Sequence, residues 1–97
     1  MKVSLSNEAI EDARSAADWY IDQGAFTAAA LFFDDIEQSI RLVLRHPRIG
    51  RPGAAGTRSL RLSSFPYSLV YRLGGEVVRV IAVSAHRRRP GHWLGRR

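Results

Sequence analysis

The residues with the greatest capacity for chemistry lie near the C-terminus, where one short segment combines three residue types. Imidazole transfers protons near neutral pH, guanidinium binds phosphate or carboxylate, and an indole ring stacks on bases or packs on a protein surface. This combination predicts contact with a polyanionic or acidic partner. The segment consists of His86, Arg87, Arg88, Arg89, His92 and Trp93.

A second set of cations interrupts the apolar runs that precede this tail. Arg61, Arg72 and Arg79 each stand at period two among apolar residues, so they are predicted to share one face of a sheet. The other face, under the helices, would hold Leu60, Leu62, Leu69, Tyr71, Leu73, Val78, Val80 and Ala82. The arginine face would also carry Val70, Ile81 and Val83. Apolar groups in that position should not stay exposed to water, so we predict that either a partner or the tail covers this face.

Charge is segregated along the chain. Residues 1–37 carry eight acids against two basic residues, a net −6, and residues 38–97 carry thirteen arginines against one glutamate, a net +12. The basic half therefore favours an acidic partner, either nucleic acid or an acidic protein segment. A plainer interpretation is that the exposed arginines only keep the protein surface solvated.

Several chemistries find no support in the residues. Cysteine is absent, which excludes disulfides and thiolate metal sites. No glycine-rich phosphate loop opens a helix, and Asp34, Asp35 and Glu37 lack a histidine at ligand spacing, so we interpret them as the solvated face of a helix. We expect neither a cofactor nor a metal, and we expect no contact with a membrane. A cytoplasmic protein with one domain over residues 1–97 is predicted.

The elements that position these residues are predicted to form an α+β fold in the order β-α-α-β-β-β. Residues 2–5 form the first strand, and Ser6 or Asn7 caps a helix that stops at Gly24. A second helix begins near residues 25–27 and ends before Pro47. The predicted apolar stripes are Ile10, Ala13, Ala17, Tyr20 and Ile21 on the first helix, and Ala29, Phe33, Ile36, Ile40, Val43 and Leu44 on the second.

The second half of the chain is predicted to be a three-stranded antiparallel meander followed by a short basic tail. Residues 48–56 are rich in glycine and proline, which predicts a mobile loop. Gly74 and Gly75 separate two β-rich runs, and this pair is a strong hairpin signal.

Four motifs in this order carry a resemblance over essentially the whole chain. They are Pro47-x-x-Gly50-Arg51, Arg58-x-Leu60, Pro66-Tyr67-x-Leu69-Val70-Tyr71-Arg72 and Val83-x-x-His86-x-Arg88-x-Pro90-x-x-Trp93. The pattern resembles the RelE/ParE superfamily of toxins from type II toxin–antitoxin systems. The resemblance implies a small toxin neutralised by a cognate antitoxin that wraps around it, in a toxin–antitoxin hetero-oligomer.

The superfamily implies two targets. RelE-like toxins cleave mRNA in the ribosome, whereas ParE-like toxins act against DNA gyrase. Pro66-Tyr67 to Arg72 and His86-x-Arg88 look more like the ParE branch, so we favour a non-enzymatic toxin that binds gyrase. A RelE-like endoribonuclease remains the alternative, and a degenerate member with little toxicity is a third.

The resemblance also implies residue roles under each hypothesis. Under the endoribonuclease alternative, the catalytic residues are Arg61, Arg87, His86 and His92. Ser59 and Ser68 stand where that pattern has cations, and Trp93 stands where it has a tyrosine. The expected target-binding or antitoxin-binding residues are Arg58, Arg61, Val70, Arg72, Arg79, Ile81, His86, Arg87, Arg88 and Trp93.

Overall fold

A computed structural model describes residues 1–89 and 91–97 of the chain. The elements, in chain order, are β1 (Lys2–Leu5), α1 (Asn7–Asp22), α2 (Phe26–Arg45), β2 (Arg51–Pro52), β3 (Arg58–Arg61), β4 (Tyr67–Gly74) and β5 (Val77–Ala85). Two helices and a mixed sheet confirm the α+β class. The predicted element order holds, except that the sheet has a fifth strand, β2.

Helix α1 begins where the sequence predicts. The Ser6 hydroxyl accepts a hydrogen bond from the Ala9 amide at 3.0 Å and so satisfies one free donor of the first turn. The buried stripe is shifted from the predicted one, because Ile10 and Ile21 are exposed while Ala9 and Ala16 are buried. Small side chains thus form the contact surface and allow α1 to approach the sheet closely.

Helix α2 shows a similar shift of its buried stripe. Phe32 is 0% exposed, whereas Phe33, which we placed in the core, is 47% exposed. Asp35 is also buried, contrary to its interpretation as a solvated residue. Its two carboxylate oxygens accept from the amides of Ser63 and Ser64 at 3.1 and 2.8 Å, so this residue anchors the turn between β3 and β4 to the helix.

The sheet has the order β1-β5-β4-β3-β2. Strand β1 runs parallel to β5, and the other neighbours are antiparallel, so β3, β4 and β5 form the predicted meander. Strand β1 pairs only with residues 77–80 of β5, and β2 pairs only with Arg58 and Ser59 of β3. Strands β5 and β3 therefore continue beyond the short edge strands, β1 and β2, that flank them.

The segment 48–56, predicted to be a mobile loop, contains regular structure. It supplies β2 and a turn of 3₁₀ helix at Ala54–Gly56. Its start is bonded to the sheet, because the Tyr71 hydroxyl donates to the Pro47 carbonyl at 2.7 Å and accepts from the Gly50 amide at 2.9 Å. Pro52 fits an edge strand, where the missing amide hydrogen is not needed.

A β-bulge alters the predicted faces of β5. Val70 pairs with Ala82 and Tyr71 pairs with Val80, so Ile81 is the extra residue. The alternation of side chains changes phase at this point. Val83 therefore packs in the core under the helices, and Ala82 joins the opposite face, which reverses our assignment of both residues.

The main core lies between the helices and the sheet. Aromatic rings occupy the end where β4 begins: Tyr20 and Phe32 both contact Phe65 with centroid distances of 5.4 Å, and Phe32 lies 5.0 Å from Tyr67. Valine and leucine side chains of β4 and β5 fill the remainder. This core fixes the end of the sheet from which the histidines and arginines of the tail emerge.

Candidate functional site

The face of the sheet opposite the helices, predicted to need a cover, is covered by the chain's own tail. Val70, Ile81 and Ala82 are completely buried there, and Trp93 packs against them. Among the described residues, the Trp93 indole nitrogen is the one buried side-chain polar atom without a hydrogen-bond partner. We call residues 91–97 with their contacts on this face the tail cover.

Arginines of the sheet hold the tail cover by its backbone. Arg72 donates to the carbonyl oxygen of Arg96 at 2.6 Å and to that of Ala55 at 2.9 Å. Arg79 donates to the carbonyl oxygen of Arg97 at 3.3 Å and to the Ser4 hydroxyl at 2.6 Å. Charge-assisted bonds of this kind are stronger than neutral ones, so these two cations stabilise the cover.

A partly buried ion pair closes the cover at the edge of β5. The Arg96 guanidinium lies 2.7 Å from the Asp12 carboxylate and also donates to the Ile81 carbonyl at 3.1 Å. The same carboxylate accepts from the Val83 amide at 3.1 Å. Because β1 ends before this point, Asp12 and Arg96 satisfy backbone groups that a neighbouring strand would otherwise pair.

Each predicted histidine is held by a serine, and the two serines face each other across β4 and β5. Ser68 and Ser84 are register partners. His86 Nε2 lies 2.9 Å from the Ser68 hydroxyl, and His92 Nε2 lies 2.9 Å from the Ser84 hydroxyl. The sequence did not single out either serine for this role. The sign in the sequence that could have identified them is that each is a polar residue at the end of an apolar strand.

The geometry around His86 brings it together with Arg61. An Arg61 nitrogen lies 3.4 Å from His86 Nδ1. Guanidinium only donates, so Nδ1 accepts, and Nε2 carries the proton that is donated to Ser68. In this arrangement both ring nitrogens of His86 are engaged.

His92 lies in a more enclosed and more positive environment. Burial of the ring lowers its pKa below the ordinary value of 6.5, and the charges of Arg88 and Arg96 lower it further, against a smaller opposing effect of Asp12. Its ring packs edge-on against Trp93 with a centroid distance of 5.4 Å. Neutral His92 is therefore part of the tail cover.

The tail arginines face a different surface. Arg87 and Arg88 line a cavity of about 230 Å³ between α1 and the end of β5. Trp19 forms part of the same wall and is 48% exposed. Burial and the nearby Tyr67 raise the pKa of Tyr20, while the Arg87 charge opposes that shift. We call this cationic and aromatic cleft the α1 cleft.

The structure thus separates the predicted site residues into four groups. Arg61 and His86 meet above Ser68, whereas Arg87 lines the α1 cleft with Arg88. Arg58 donates to the carbonyl oxygens of Arg48 and Gly50 at 3.0 and 2.9 Å, so it stabilises the segment before β2. The fourth group forms or underlies the tail cover: Val70, Arg72, Arg79, Ile81, His92 and Trp93. Pro90, the last proline of the quoted motifs, lies outside the described residues.

Two further findings concern function classes. Within residues 1–89 and 91–97, no cluster of three or more histidine, aspartate or glutamate side chains could hold a metal ion. In the same part of the chain, neither helix has the length and apolar character needed to cross a membrane.

Comparison with known proteins gives a family and a structural relative. Residues 3–90 match the family described as ParE toxin of the type II toxin–antitoxin system parDE. A solved structure of the chromosomal ParDE toxin–antitoxin system from P. aeruginosa contains a chain that is similar in fold, with a TM-score of 0.77 and 22% sequence identity. The alignment covers 88% of the present chain and 95% of the other. A search of curated proteins found no match.

Proposed function

The chain belongs to the family of ParE toxins of type II toxin–antitoxin systems, and we propose that it arrests growth by binding DNA gyrase in the cytoplasm. The family match over residues 3–90 carries this proposal, because it spans nearly all of the elements that build the fold. In the proposal, residues 1–97 act as one toxin domain without a cofactor.

The engagement of the histidines supports binding rather than catalysis. A general base needs a nitrogen within hydrogen-bond reach of the proton that it removes. His86 has one ring nitrogen beside Arg61 and the other beside Ser68, and His92 is held by Ser84 inside the tail cover. Arg87 lies apart in the α1 cleft, so the four candidate catalytic residues do not converge on one point.

The α1 cleft is the surface that we propose for a protein partner. Trp19 offers an exposed ring, and Arg87 and Arg88 offer exposed cations beside it. Aromatic and arginine side chains are the types most often found at the energetic centre of interfaces. We propose that an acidic, partly apolar segment of the cognate antitoxin or of gyrase binds here, and that the antitoxin complex is a hetero-oligomer.

The buried positions limit the surface that was predicted from the sequence. Val70 and Ile81 lie beneath Trp93 with no exposed area. They can contact a partner only after the tail cover moves away from the sheet. We therefore propose that Val70 and Ile81 contact a partner only in that open form. Arg72 and Arg79 have the same restriction, because both donate to the tail backbone.

A second function, RelE-like cleavage of mRNA on the ribosome, is favoured by one observation. Arg61 and His86 come together at 3.4 Å, and cation plus imidazole is a combination that could bind a phosphate and transfer a proton. A degenerate toxin that its antitoxin still binds is the third candidate.

Double replacement of the histidines separates these functions. We expect cells that express the His86→Gln/His92→Gln variant to arrest growth as the parent does, with intact mRNA, because a gyrase binder needs no proton transfer. If the toxin cleaves RNA, the same change should lower the cleavage rate by roughly 10²-fold or more. Transcripts cut at codon-phased positions by the parent and spared by the variant would overturn the gyrase proposal.

A matched change in the α1 cleft provides the positive arm of this experiment. The Arg87→Gln/Arg88→Gln variant removes two exposed cations and should reduce toxicity. Folding of both variants is checked by circular dichroism. If the parent protein and both variants all fail to arrest growth, the result would indicate the degenerate toxin.

A further inference from the structure

A second cationic groove lies on the other flank of the molecule, between α2 and the outer edge of β3. Its volume is about 360 Å³. Three arginines line it, Arg41 and Arg45 on the helix and Arg61 on the strand. The remaining lining residues are Gln38, Ser39, Leu42, Leu60 and Ser63. We call this site the α2 groove.

The groove exists because β2 is too short to close it. Strand β2 pairs with Arg58 and Ser59, and the next two residues of β3 have no strand beside them. Helix α2 passes over this open edge with one arginine per turn, since Arg41 and Arg45 are four residues apart and lie on the same helix face. The arginines therefore form a row along an open channel.

Nearby acids do not cancel this positive charge. None of the described residues that line the α2 groove is acidic, and the Asp35 carboxylate is occupied by the amides of Ser63 and Ser64. Glu37 pairs with Arg41, but both side chains are more than half exposed, and exposed pairs contribute little. Arg45 stands in the last turn of α2, where its positive charge interacts favourably with the negative end of the helix dipole.

From this geometry we infer that the α2 groove binds the phosphate backbone of duplex DNA. The groove offers guanidinium, hydroxyl and amide donors, which are the groups that contact phosphates. The lining residues that the structure describes include no aromatic ring, the platform on which proteins stack the bases of single strands. The inference is independent of gyrase, because DNA binding can be measured with the toxin and DNA alone.

Binding to a labelled duplex across a salt series tests the inference with the full-length toxin. Each phosphate contact contributes about −0.9 to the slope of log affinity against log salt. We expect Arg41→Gln/Arg45→Gln to weaken binding and to reduce the magnitude of the slope by about 1.8. Both residues are exposed, so circular dichroism should show an unchanged fold.

Two control variants distinguish a site from net charge. Lys2→Gln/Arg14→Gln removes the same charge at exposed positions outside the α2 groove and should leave the slope unchanged. Glu37→Gln removes the carboxylate that competes for Arg41 and should strengthen DNA binding. A single-stranded oligonucleotide should bind more weakly than the duplex.

Other outcomes contradict the inference. Equal losses in the two double variants would show that only net charge attracts DNA. Stronger binding to an acidic polypeptide than to duplex DNA, lost in Arg41→Gln/Arg45→Gln, would assign the α2 groove to a protein partner instead. Gyrase inhibition is measured separately, so either result leaves the proposed function to its own test.

Discussion

The two faces of the sheet are covered by different means. Helices α1 and α2 cover one face with a continuous apolar core in which Phe32, Leu69 and Tyr71 are fully buried. Among the described residues, the tail cover lies on a patch of three buried apolar side chains, and it is held otherwise by polar bonds that include those from Arg72, Arg79 and Arg96. The helix face therefore provides the stability of the fold, and the tail face is the part suited to open locally.

The largest expected effect of a single change lies on the helix face. Phe32→Ala should destabilise the protein by about 3–5 kcal/mol, since it removes a fully buried ring that contacts four other aromatic rings. Phe33→Ala is the matched control on the same helix and should cost less, because that ring is half exposed. Urea denaturation measures both. Equal costs would contradict the assignment of the buried stripe.

A smaller effect is expected where the helix face meets the segment before β2. A Cβ atom added at Gly50 would lie 2.7 Å from the Tyr71 hydroxyl oxygen and 2.8 Å from Cε1 of the same ring. Gly50→Ala should therefore cost about 1–3 kcal/mol through overpacking, measured by thermal melting. At Gly74 no described atom outside the glycine and its two chain neighbours lies within 4 Å of the added Cβ, so Gly74→Ala serves as the control and should change stability much less.

These two contrasts also show how far the sequence predicts the fold. The start of α1, the hairpin at Gly74 and the meander follow from local chemistry such as caps and turn residues. The buried stripes were placed one residue off at Phe33, because apolar spacing on a helix rich in hydrophobic residues fits more than one face. The bulge at Ile81 was not predictable from alternation, since the extra residue is itself apolar.

The sequence named candidate residues for a site but could not predict their arrangement. Arg61 and His86 are 25 positions apart and were both singled out, yet their contact depends on the registers of β3 with β4 and of β4 with β5. Asp12 and Arg96 were missed, because a charged pair 84 positions apart has no local signature. Segregated charge predicted a basic surface, and the fold divides that surface between the α1 cleft, the tail cover and the α2 groove.

On the tail face, removal of the apolar anchor should release the cover without unfolding the sheet. Trp93→Ala should cost roughly 1–2 kcal/mol, less than a fully buried ring because Trp93 keeps part of its surface exposed. Hydrogen exchange should accelerate in residues 91–97 and stay slow in β4. The exposed Leu94 offers a control, as Leu94→Ala should leave both rates unchanged. Fast exchange throughout β4 would show that the tail is part of the global core.

The smallest expected effect is a dependence of the tail cover on pH. The pKa of His92 is lowered in the folded protein, so an opened tail binds a proton more readily than the closed one. The cover should be fully stable above the ordinary value of 6.5 and should weaken as pH falls through the lower folded pKa. Trp93 emission in a Trp19→Phe background reports this change. The His92→Gln variant should show no such loss on acidification, and an identical response in both proteins would exclude His92 as the cause.

Inhibition of gyrase by the purified toxin tests the central claim most directly. The same preparation is added to a DNA supercoiling reaction and to a ribosome programmed with mRNA. We predict that supercoiling falls with toxin concentration, that the product of a neighbouring antitoxin gene restores it, and that the mRNA stays intact. Cleaved mRNA beside fully active gyrase would contradict the claim.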